Sequence, residues 1–344
     1  MAREYYDGRD HYILYAEETA FATGGTISTS NHMGRVQSLT VDANNNLIRS
    51  QGLGEGANAQ NATLGNFDCS ITVNTKPVDL NIFQYAVGER AAGTAGTSGD
   101  PHEVNELDQH GYTSTFIPTL KVEVGAKGIT TNQAYTFVGV AMNSWELSGS
   151  VGEDLTATIN MAAKAFSRGT SITTYVAPTD KTINFAGGSV LWDSGSDVLS
   201  LTNFSITCDF PSIYPRELFS DRLAKQPTKT VRRYDWTLTM NKHLDAGSNI
   251  MSSTELLDEF FLASNSPIDN GAITGKQLRI RIDEGSATGD RDIYIEFENS
   301  FINNWSENPT LEAGVTSITV TGFSLAGLTD SGSGENVPLR WFTN

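Results

Sequence analysis

An internal repeat of alternating strand segments, with a period near 160 residues, most strongly constrains the fold. Phe67–Asn74 matches Tyr234–Asn241, with three identical and four conservative positions. Upstream, Ser38–Thr40 matches Ser200–Thr202. Further matches fall at one constant offset: Phe137, Asn143 and Trp145 with Phe297, Asn303 and Trp305. Thr-rich strands can match through composition alone, but here the order of elements matches too. Two copies are too few for a solenoid, so the repeat predicts a pseudo-symmetric pair of units.

Apolar and polar residues alternate along much of the chain with the period of a β-strand. The clearest segments are residues 36–41, 67–73, 120–124, 135–140, 145–150 and 155–161. One face of each segment is apolar and the other carries Thr, Glu, Lys or Asn, which is typical of a sheet with one wet side. The sequence therefore predicts a mainly β fold with a few short helices, built from β-sandwich or half-barrel units.

Few segments have helical punctuation. Residues 79–87 lie between Pro77 and Gly88, which favours a short helix. A second helix is predicted over residues 254–263, where Ser252 and Glu255 have capping-box spacing, and a third over residues 216–224. The long polar stretches at 89–112 and 283–292 predict loops of functional size.

The charge balance excludes several classes of partner. The chain has 40 Asp and Glu against 23 Lys and Arg, a formal net charge of −17. Binding nucleic acid through its phosphates requires clustered basic residues, and so does binding an anionic membrane surface. The acidic balance of the chain therefore argues against both. The first seven residues have no apolar segment, so no signal peptide is expected. Cys69 and Cys208 lie in alternating runs and are predicted to be small buried side chains.

No constellation of catalytic residues emerges from the sequence. His102, Glu103 and His110 lie in a cluster of metal-ligating residue types, but no second cluster completes a ligand set, which favours a solvated acidic loop. We therefore expect no catalytic residue, no metal and no cofactor, and the chain is not predicted to be an enzyme. The repeat-related aromatic residues are predicted to be core positions: Phe137, Trp145, Trp236, Phe297 and Trp305.

Residues Tyr135–Ile159 resemble the tail tube proteins of long-tailed, siphovirus-like bacterial and archaeal viruses, here in a tandem-duplicated form. In that family a strand, a turn bearing Gly and Glu and a second strand form a hairpin of the tube wall. The second copy, Phe297–Val320, fits less closely, because Glu307-Asn308-Pro309 replaces Leu147-Ser148-Gly149.

The resemblance implies a structural virion protein of the viral tail, assembled in the host cytoplasm into stacked rings. Inner strands of neighbouring subunits would join into a ring-shaped β-barrel through which the genome is delivered. Members with one copy form hexameric rings, so two tandem copies imply a homotrimer with pseudo-sixfold symmetry. The implied partners are further copies of the chain and the tape-measure, tail terminator and baseplate proteins, with no membrane. Viral DNA would pass without specific binding, since carboxylates expected on the lumenal face would repel its phosphates.

Three segments follow from the repeat and the resemblance: an N-terminal arm over residues 1–33, a first tail-tube-like repeat over 34–178 and a second over 179–344. The arm and the 89–112 loop are the expected contacts between rings or subunits, because both are long and weakly patterned. The residues predicted for these contacts are Tyr5, Tyr6, Tyr12, Tyr15, His102, Glu103 and His110.

Two other functions stay open at the level of sequence. The same fold would serve a secretion-system tube or a baseplate hub. A β-rich carbohydrate-binding or surface-layer module would instead line a groove with exposed aromatic side chains.

Overall fold

The computed structural model describes most of the chain. The described residues are 8–29, 31–50, 61–83, 85, 88–90, 102–106, 119–128, 130–192, 197–214, 223, 228–229, 233–241, 275–284, 292–309, 316–325 and 339–343.

The described residues form 22 strands. In chain order they are β1 (His11–Glu17), β2 (Arg35–Asn44), β3 (Ile48–Ser50), β4 (Asn61–Thr63), β5 (Asp68–Lys76), β6 (Gly88–Arg90), β7 (His102–Glu106), β8 (Leu120–Ala126), β9 (Gln133–Ser150), β10 (Glu153–Asp154), β11 (Thr156–Ala163), β12 (Ala165–Gly169), β13 (Asn184–Phe185), β14 (Gly187–Trp192), β15 (Asp197–Asp209), β16 (Ser212–Ile213), β17 (Thr228–Lys229), β18 (Arg233–Asn241), β19 (Lys276–Asp283), β20 (Asp292–Asn308), β21 (Ser317–Leu325) and β22 (Leu339–Thr343).

Sixteen of these strands form one sheet, and three two-stranded ribbons accompany it: β3–β4, β10–β13 and β16–β17. The pairings between named strands are antiparallel. The mainly β fold predicted from the alternating pattern is confirmed. The alternation is strict where it was clearest: along β5 and β11, every second side chain is buried and the others face outward.

Few of the described residues are helical. Within residues 79–87 the structure has a 3-10 helix at Asn81–Phe83 and Tyr85 is also helical, and a second 3-10 helix lies at Gly8–Asp10. The Asp79 side chain accepts a hydrogen bond from the Asn81 backbone N–H (2.9 Å), which begins a tight turn. The predicted helix over residues 254–263 lies outside the described residues, as does that over 216–224 apart from Leu223.

Two segments predicted to be weakly structured contain strands of the large sheet. Within the predicted arm, β1 pairs with β8 along its full length, with Ile13 opposite Val124. Within the predicted 89–112 loop, β7 pairs with β6 and with β22 near the C-terminus. The loop prediction is therefore wrong for residues 102–106. Pairing onto β22 satisfies backbone groups of a segment whose polar sequence gives little sign of a strand.

Two sets of six strands are paired in the same order. The first unit is β2-β5-β11-β9-β8-β1, and the second unit is β15-β18-β21-β20-β19-β14. The strands of each unit also follow the chain in the same sequence. Each unit contains one very long strand, β9 or β20, whose two halves pair with different partners.

The two units are also irregular at the same places. The ladders skip Asn143 of β9 against β11 and Asn303 of β20 against β21, and these residues are 160 positions apart. The ladders likewise skip Gln37 of β2 and Thr202 of β15, which are 165 positions apart. β-Bulges at matching positions bend both units alike. The bulges relate β2 to β15 by an offset of 165 residues. The sequence match of residues 38–40 with residues 200–202 is therefore wrong by three positions.

The ladders also correct the repeat alignment of β5 with β18. Val73 pairs with the β11 residue opposite Trp145, and Leu238 pairs with the β21 residue opposite Trp305. Val73 therefore corresponds to Leu238, whereas the sequence match placed it with Met240. A slip of two residues keeps each side chain on its own face, so Thr-rich alternating strands match almost equally well in either register.

One hydrophobic core extends through both units. Phe83, from the 3-10 helix, packs on Trp145 with ring centroids 4.6 Å apart. At the junction of the units, Phe204 of β15 packs edge-on against Phe185 (5.4 Å). The connection between the units, residues 170–183, runs over the first unit and hydrogen-bonds to it through Ile183 N–H and Pro77 C=O (2.9 Å).

Candidate functional site

The outward face of the sheet is a continuous surface of small polar side chains that runs across both units. It comprises alternate residues of β2, β5, β11, the second half of β9, β15, β18, β21 and the end of β20. We call this the polar face, and its neutral members include Ser38, Thr40, Ser70, Thr72, Asn74, Thr156, Thr158, Asn160, Ser144, Ser148, Ser150, Asn203, Ser205, Thr207, Thr237, Thr239, Thr319, Thr321, Asn304 and Ser306.

Side-chain hydrogen bonds connect neighbouring strands across this face. Asn74 of β5 donates to Ser38 of β2 (2.7 Å) and accepts from Thr158 of β11 (2.8 Å). At the junction between the units, Asn203 of β15 donates to Ser150 of β9 (2.8 Å). Ser205 donates to Glu146 nearby (3.1 Å). The polar face is therefore held together sideways, and it continues through the junction.

Charges on the polar face are sparse for a chain of net charge −17. The carboxylates are Asp42, Asp68, Glu146, Asp209 and Asp235, and the bases are Lys76, its cross-strand neighbour Arg35, and Arg233. Arg233 lies 3.5 Å from Asp235 and Lys76 lies 2.8 Å from Asp154. The hydrogen bond from Lys76 lowers the pKa of Asp154. The surface is thus mainly hydroxyl and amide, with a slight acidic excess.

Two buried carboxylates, Glu18 and Glu123, hold strand β1 in the first unit, away from the polar face. Glu18 accepts hydrogen bonds from Gly139 N–H (2.9 Å), Ala22 N–H (2.9 Å) and the Thr119 hydroxyl (2.5 Å). Gly139 has a φ of 60°, a region in which glycine is favoured. These bonds attach the turn after β1 to the middle of β9.

The second carboxylate, Glu123 of β8, accepts from the Tyr12 hydroxyl (2.7 Å) and from the backbone N–H of Thr173 (2.8 Å). Burial and the Glu123 carboxylate raise the pKa of Tyr12. Tyr175 stacks on Tyr12 with centroids 5.4 Å apart. The connection between the units is therefore fastened to β1 and β8.

Of the residues predicted to contact other rings or subunits, Tyr12 and Tyr15 pack within their own chain. Tyr12 is buried within its own chain, and Tyr15 is half-buried with its ring 5.9 Å from that of Tyr85. The backbone of His102 and Glu103 lies in β7 opposite residues of β22. Their role in contacts between chains stays a prediction. Tyr5, Tyr6 and His110 lie outside the described residues.

The predicted core aromatics differ in burial between the units. Phe137 and Phe297 are fully buried, and Trp145 and Trp236 are each 2% exposed. Trp305, which corresponds to Trp145, is only partly buried. The difference arises because β9 has β15 alongside its second half, whereas no described strand occupies that position beside β20.

Two open strand edges result, and sequence reasoning missed them. Of the described strands, β5 is the only one that pairs with β2, and residues 304–308 of β20 pair only with β21. Val41 of β2 is 40% exposed. The signal was present in the repeat, because strands that correspond between the units should have corresponding neighbours.

No group of three or more His, Cys, Asp and Glu side chains that could hold a metal ion occurs in the described part of the chain. Of the sequence candidate around His102 and His110, only residues 102–106 are described. In the same part of the chain no helix has the length and apolar character required to cross a membrane.

A comparison with protein families places the chain beside a family of known proteins. A family model described as phage tail tube protein matches residues 8–211, which are 204 of the 344 residues. The matched range contains the whole first unit and, from the second unit, β14 and β15. No curated protein matches the chain.

Proposed function

Because the chain belongs to the phage tail tube protein family, we propose that it forms the stacked rings of a viral tail tube through which the genome is delivered. Family membership makes it a structural protein of the virion tail. Beyond family membership, we propose that the chain forms a ring, and we propose how many chains the ring contains and which surface faces the DNA. A purely structural role is consistent with the polar face, whose side chains bond mainly to one another across the strands.

The observation that carries this proposal is the pairing of two six-stranded units in one order with coincident bulges. We infer that the units are tandem copies of one tail-tube domain. Where single-copy members of the family form rings of six, three such chains supply six units, which gives a trimer with pseudo-sixfold symmetry.

The boundaries proposed for the copies are residues 34–178 and 179–344, with one amendment. Strand β1 holds the place in the first unit that β14 holds in the second, so we assign it to the first copy rather than to a separate arm. The division at 178 and 179 falls in the segment without strands between β12 and β13.

We assign the polar face to the lumen. This face crosses the junction between the units without interruption, as a channel lining shared by several units must. Its hydroxyl and amide groups and its slight acidic excess offer DNA phosphates few cationic partners. The expected excess of lumenal carboxylates is then smaller than the net charge suggested, and most of the acidity lies elsewhere on the chain.

The partners proposed for the tube are further copies of the chain, the tape-measure protein inside it and the terminator and baseplate proteins at its ends. The N-terminal arm, residues 1–33, and the 89–112 region remain our candidates for contacts between successive rings. Strand β1 of the arm and strand β7 of the region pair within the large sheet, so the residues around these strands are the ones proposed to reach the next ring.

Electron microscopy of the purified protein tests the function. Rings or hollow tubes with a central channel are expected, and mass photometry of single rings should give three chains. Dispersed monomers with affinity for glycans would contradict the tube, and rings of six chains would contradict the pairing of two copies per chain.

A further inference from the structure

The junction between the two units is a complete model of how one unit joins the next. The second half of β9 pairs with β11 on one side and with β15 on the other, with Ile206 opposite Leu147 and Cys208 opposite Trp145. Backbone bonds close this ladder at both ends: Phe210 N–H donates to Asn143 C=O (2.6 Å), and Val151 N–H to Thr202 C=O (3.0 Å).

Two corresponding strand edges occur in each chain with no described strand beside them. Strand β20 holds the place of β9, and β2 holds the place of β15. The open edge of β2 therefore corresponds to the edge by which β15 joins the first unit. The open edge of β20 at residues 304–308 corresponds to the edge of β9 that receives it.

Burial supports this correspondence. By the 165-residue register, Leu39, Val41 and Ala43 of β2 hold the places of three β15 side chains that are 0% exposed: Phe204, Ile206 and Cys208. Val41 is 40% exposed, and Leu39 and Ala43 are also accessible. On the other edge, Trp305 is accessible where Trp145 is 2% exposed. Long exposed strand edges invite pairing with another chain unless they are covered.

We propose that residues 40–44 of β2 in one copy pair antiparallel with residues 304–308 of β20 in the next copy. This inference rests on the proposed function, since it names the joint by which the ring closes. The register of the internal junction predicts the register of this joint. Val41 would lie opposite Glu307, as Ile206 lies opposite Leu147. Ala43 would lie opposite Trp305, as Cys208 lies opposite Trp145.

The ladder has a defined end. Pro309 holds the place of Gly149, whose partner is Phe204, and proline has no N–H to donate. The joint is heterologous, because a β2 edge meets a β20 edge. Each chain can therefore bind one copy on either side, and repetition of the same joint closes a ring. One joint in two is covalently linked within the chain, and the other forms on assembly.

A disulfide across the proposed ladder tests the register. Asp42 and Ser306 would be directly opposite, in the places of Thr207 and Glu146, on the polar face. The internal backbone bonds fall on even-numbered residues of β15, so Thr207 belongs to a pair without hydrogen bonds. Such pairs have Cα atoms about 4.5 Å apart, which suits a disulfide. The native cysteines are buried and compete little.

Oxidation of assembled Asp42→Cys/Ser306→Cys protein should give covalent trimers that resist SDS and revert to monomers on reduction. Asp42→Cys/Asn304→Cys is the control for register, because a diagonal separation of about 7–8 Å is too long for the bond. Thr207→Cys/Glu146→Cys should form the corresponding link within one chain. Asp42→Cys alone should form no dimer, since β2 does not meet β2.

The outcomes separate the two proposals. Tubes in the microscope without cross-linked trimers, while the Thr207→Cys/Glu146→Cys control closes, would overturn the β2–β20 joint and leave the tube intact. Dimers of the Asp42→Cys protein, or equal cross-linking by the diagonal pair, would also overturn it. Absence of rings and tubes from the wild-type protein would instead contradict the proposed function.

Discussion

Glu18 is a buried carboxylate whose hydrogen bonds join three separate parts of the first unit. It is 2% exposed and accepts hydrogen bonds from Gly139 N–H, Ala22 N–H and Thr119. Removal of such an acceptor leaves buried donors without partners, which costs more than the loss of a surface contact. The residue gives no sequence signal of this role, because a lone Glu after a strand is usually solvated.

We predict that Glu18→Ala lowers the free energy of unfolding by about 3 kcal/mol, and Glu18→Gln by less, since an amide oxygen replaces one acceptor. The measurement is urea denaturation of the unassembled chain. Glu153→Gln, at an exposed position, is the matched control and should change stability by less than about 0.5 kcal/mol. Equal effects of Glu18→Ala and Glu153→Gln would show that the Glu18 network contributes nothing.

The two cysteines give a prediction for pH. Burial, with a smaller effect of the Asp42 charge, raises the pKa of Cys69 to about 11. Burial likewise raises the pKa of Cys208. A raised pKa in the folded state means that the stabilisation is present below the ordinary thiol pKa and is lost as the pH rises toward the folded value.

We therefore expect stability to decline above about pH 9, where thiols of the unfolded chain ionise first. Iodoacetamide should label neither thiol of the folded protein at pH 8, and both in urea. A Cys69→Ala/Cys208→Ala variant serves as the control, because its stability should fall less between pH 8 and pH 10. Rapid labelling of folded wild-type protein at pH 8 would contradict the burial of these thiols.

At the scale of elements, β2 has no described strand along one of its edges. Its backbone groups alternate between β5 and the open edge. Ile206 of β15, at an even position, directs its N–H toward β9, so Val41 in the corresponding place directs its N–H away from β5. Proline is tolerated on such an edge within one chain, but it removes a donor needed by a neighbouring strand.

Val41→Pro should therefore leave the isolated chain folded and raise the critical concentration for ring assembly at least about tenfold, which corresponds to the loss of about 1.4 kcal/mol at each joint. Val41→Thr keeps both the N–H and the branched Cβ and is the matched control. Circular dichroism reports the fold, and sedimentation velocity reports assembly. Normal rings from Val41→Pro would exclude this edge from the joint.

The elements also show how far the sequence could predict the fold. Period-2 alternation predicted β5, β8, β9 and β11, because burial on one face leaves a direct trace in residue type. Residue type does not indicate the pairing register of neighbouring strands. The sequence match of Phe67–Asn74 with Tyr234–Asn241 was therefore shifted by two residues from the register in the structure. Strands β6 and β7 were missed because the pairing of β7 with β22, and of β6 with β7, orders a segment that has few apolar residues.

The candidate site could be predicted only in part, for a related reason. The polar face was expected because Thr, Ser and Asn occupy alternate positions of the strands. The open edges depend on which strand lies beside which, and pairing partners are set by the tertiary fold. Trp305 illustrates this point, since its sequence environment matches that of Trp145 while its exposure differs.

At the scale of the whole molecule, the net charge of −17 is distributed unevenly over the surfaces of the chain. The polar face holds few charges, and its neutral hydroxyl and amide groups already bond to one another. A lumen lined in this way would let DNA slide because few cations are available to hold a phosphate, rather than through strong repulsion. The property is fragile, because each added lysine is repeated in every chain of every ring.

We predict that Thr158→Lys/Ser205→Lys tubes retain short double-stranded DNA that wild-type tubes release. Three chains per ring would place six new ammonium groups in each ring of the lumen. Retention should be strong at about 50 mM salt and fall steeply by about 200 mM, since the contacts are with phosphates. The measurement is co-sedimentation of labelled DNA with assembled tubes.

Thr170→Lys/Thr174→Lys is the matched control, because it makes the same change in charge at exposed positions beyond the polar face. If the polar face lines the channel, the lumenal pair should retain DNA that nuclease cannot digest, whereas DNA held on the outside by the control should be degraded. Equal retention with equal nuclease sensitivity would place the polar face on the exterior of the tube. The tube would survive that result, but its lining would have to come from the opposite side of the sheet, where β1 and β8 lie.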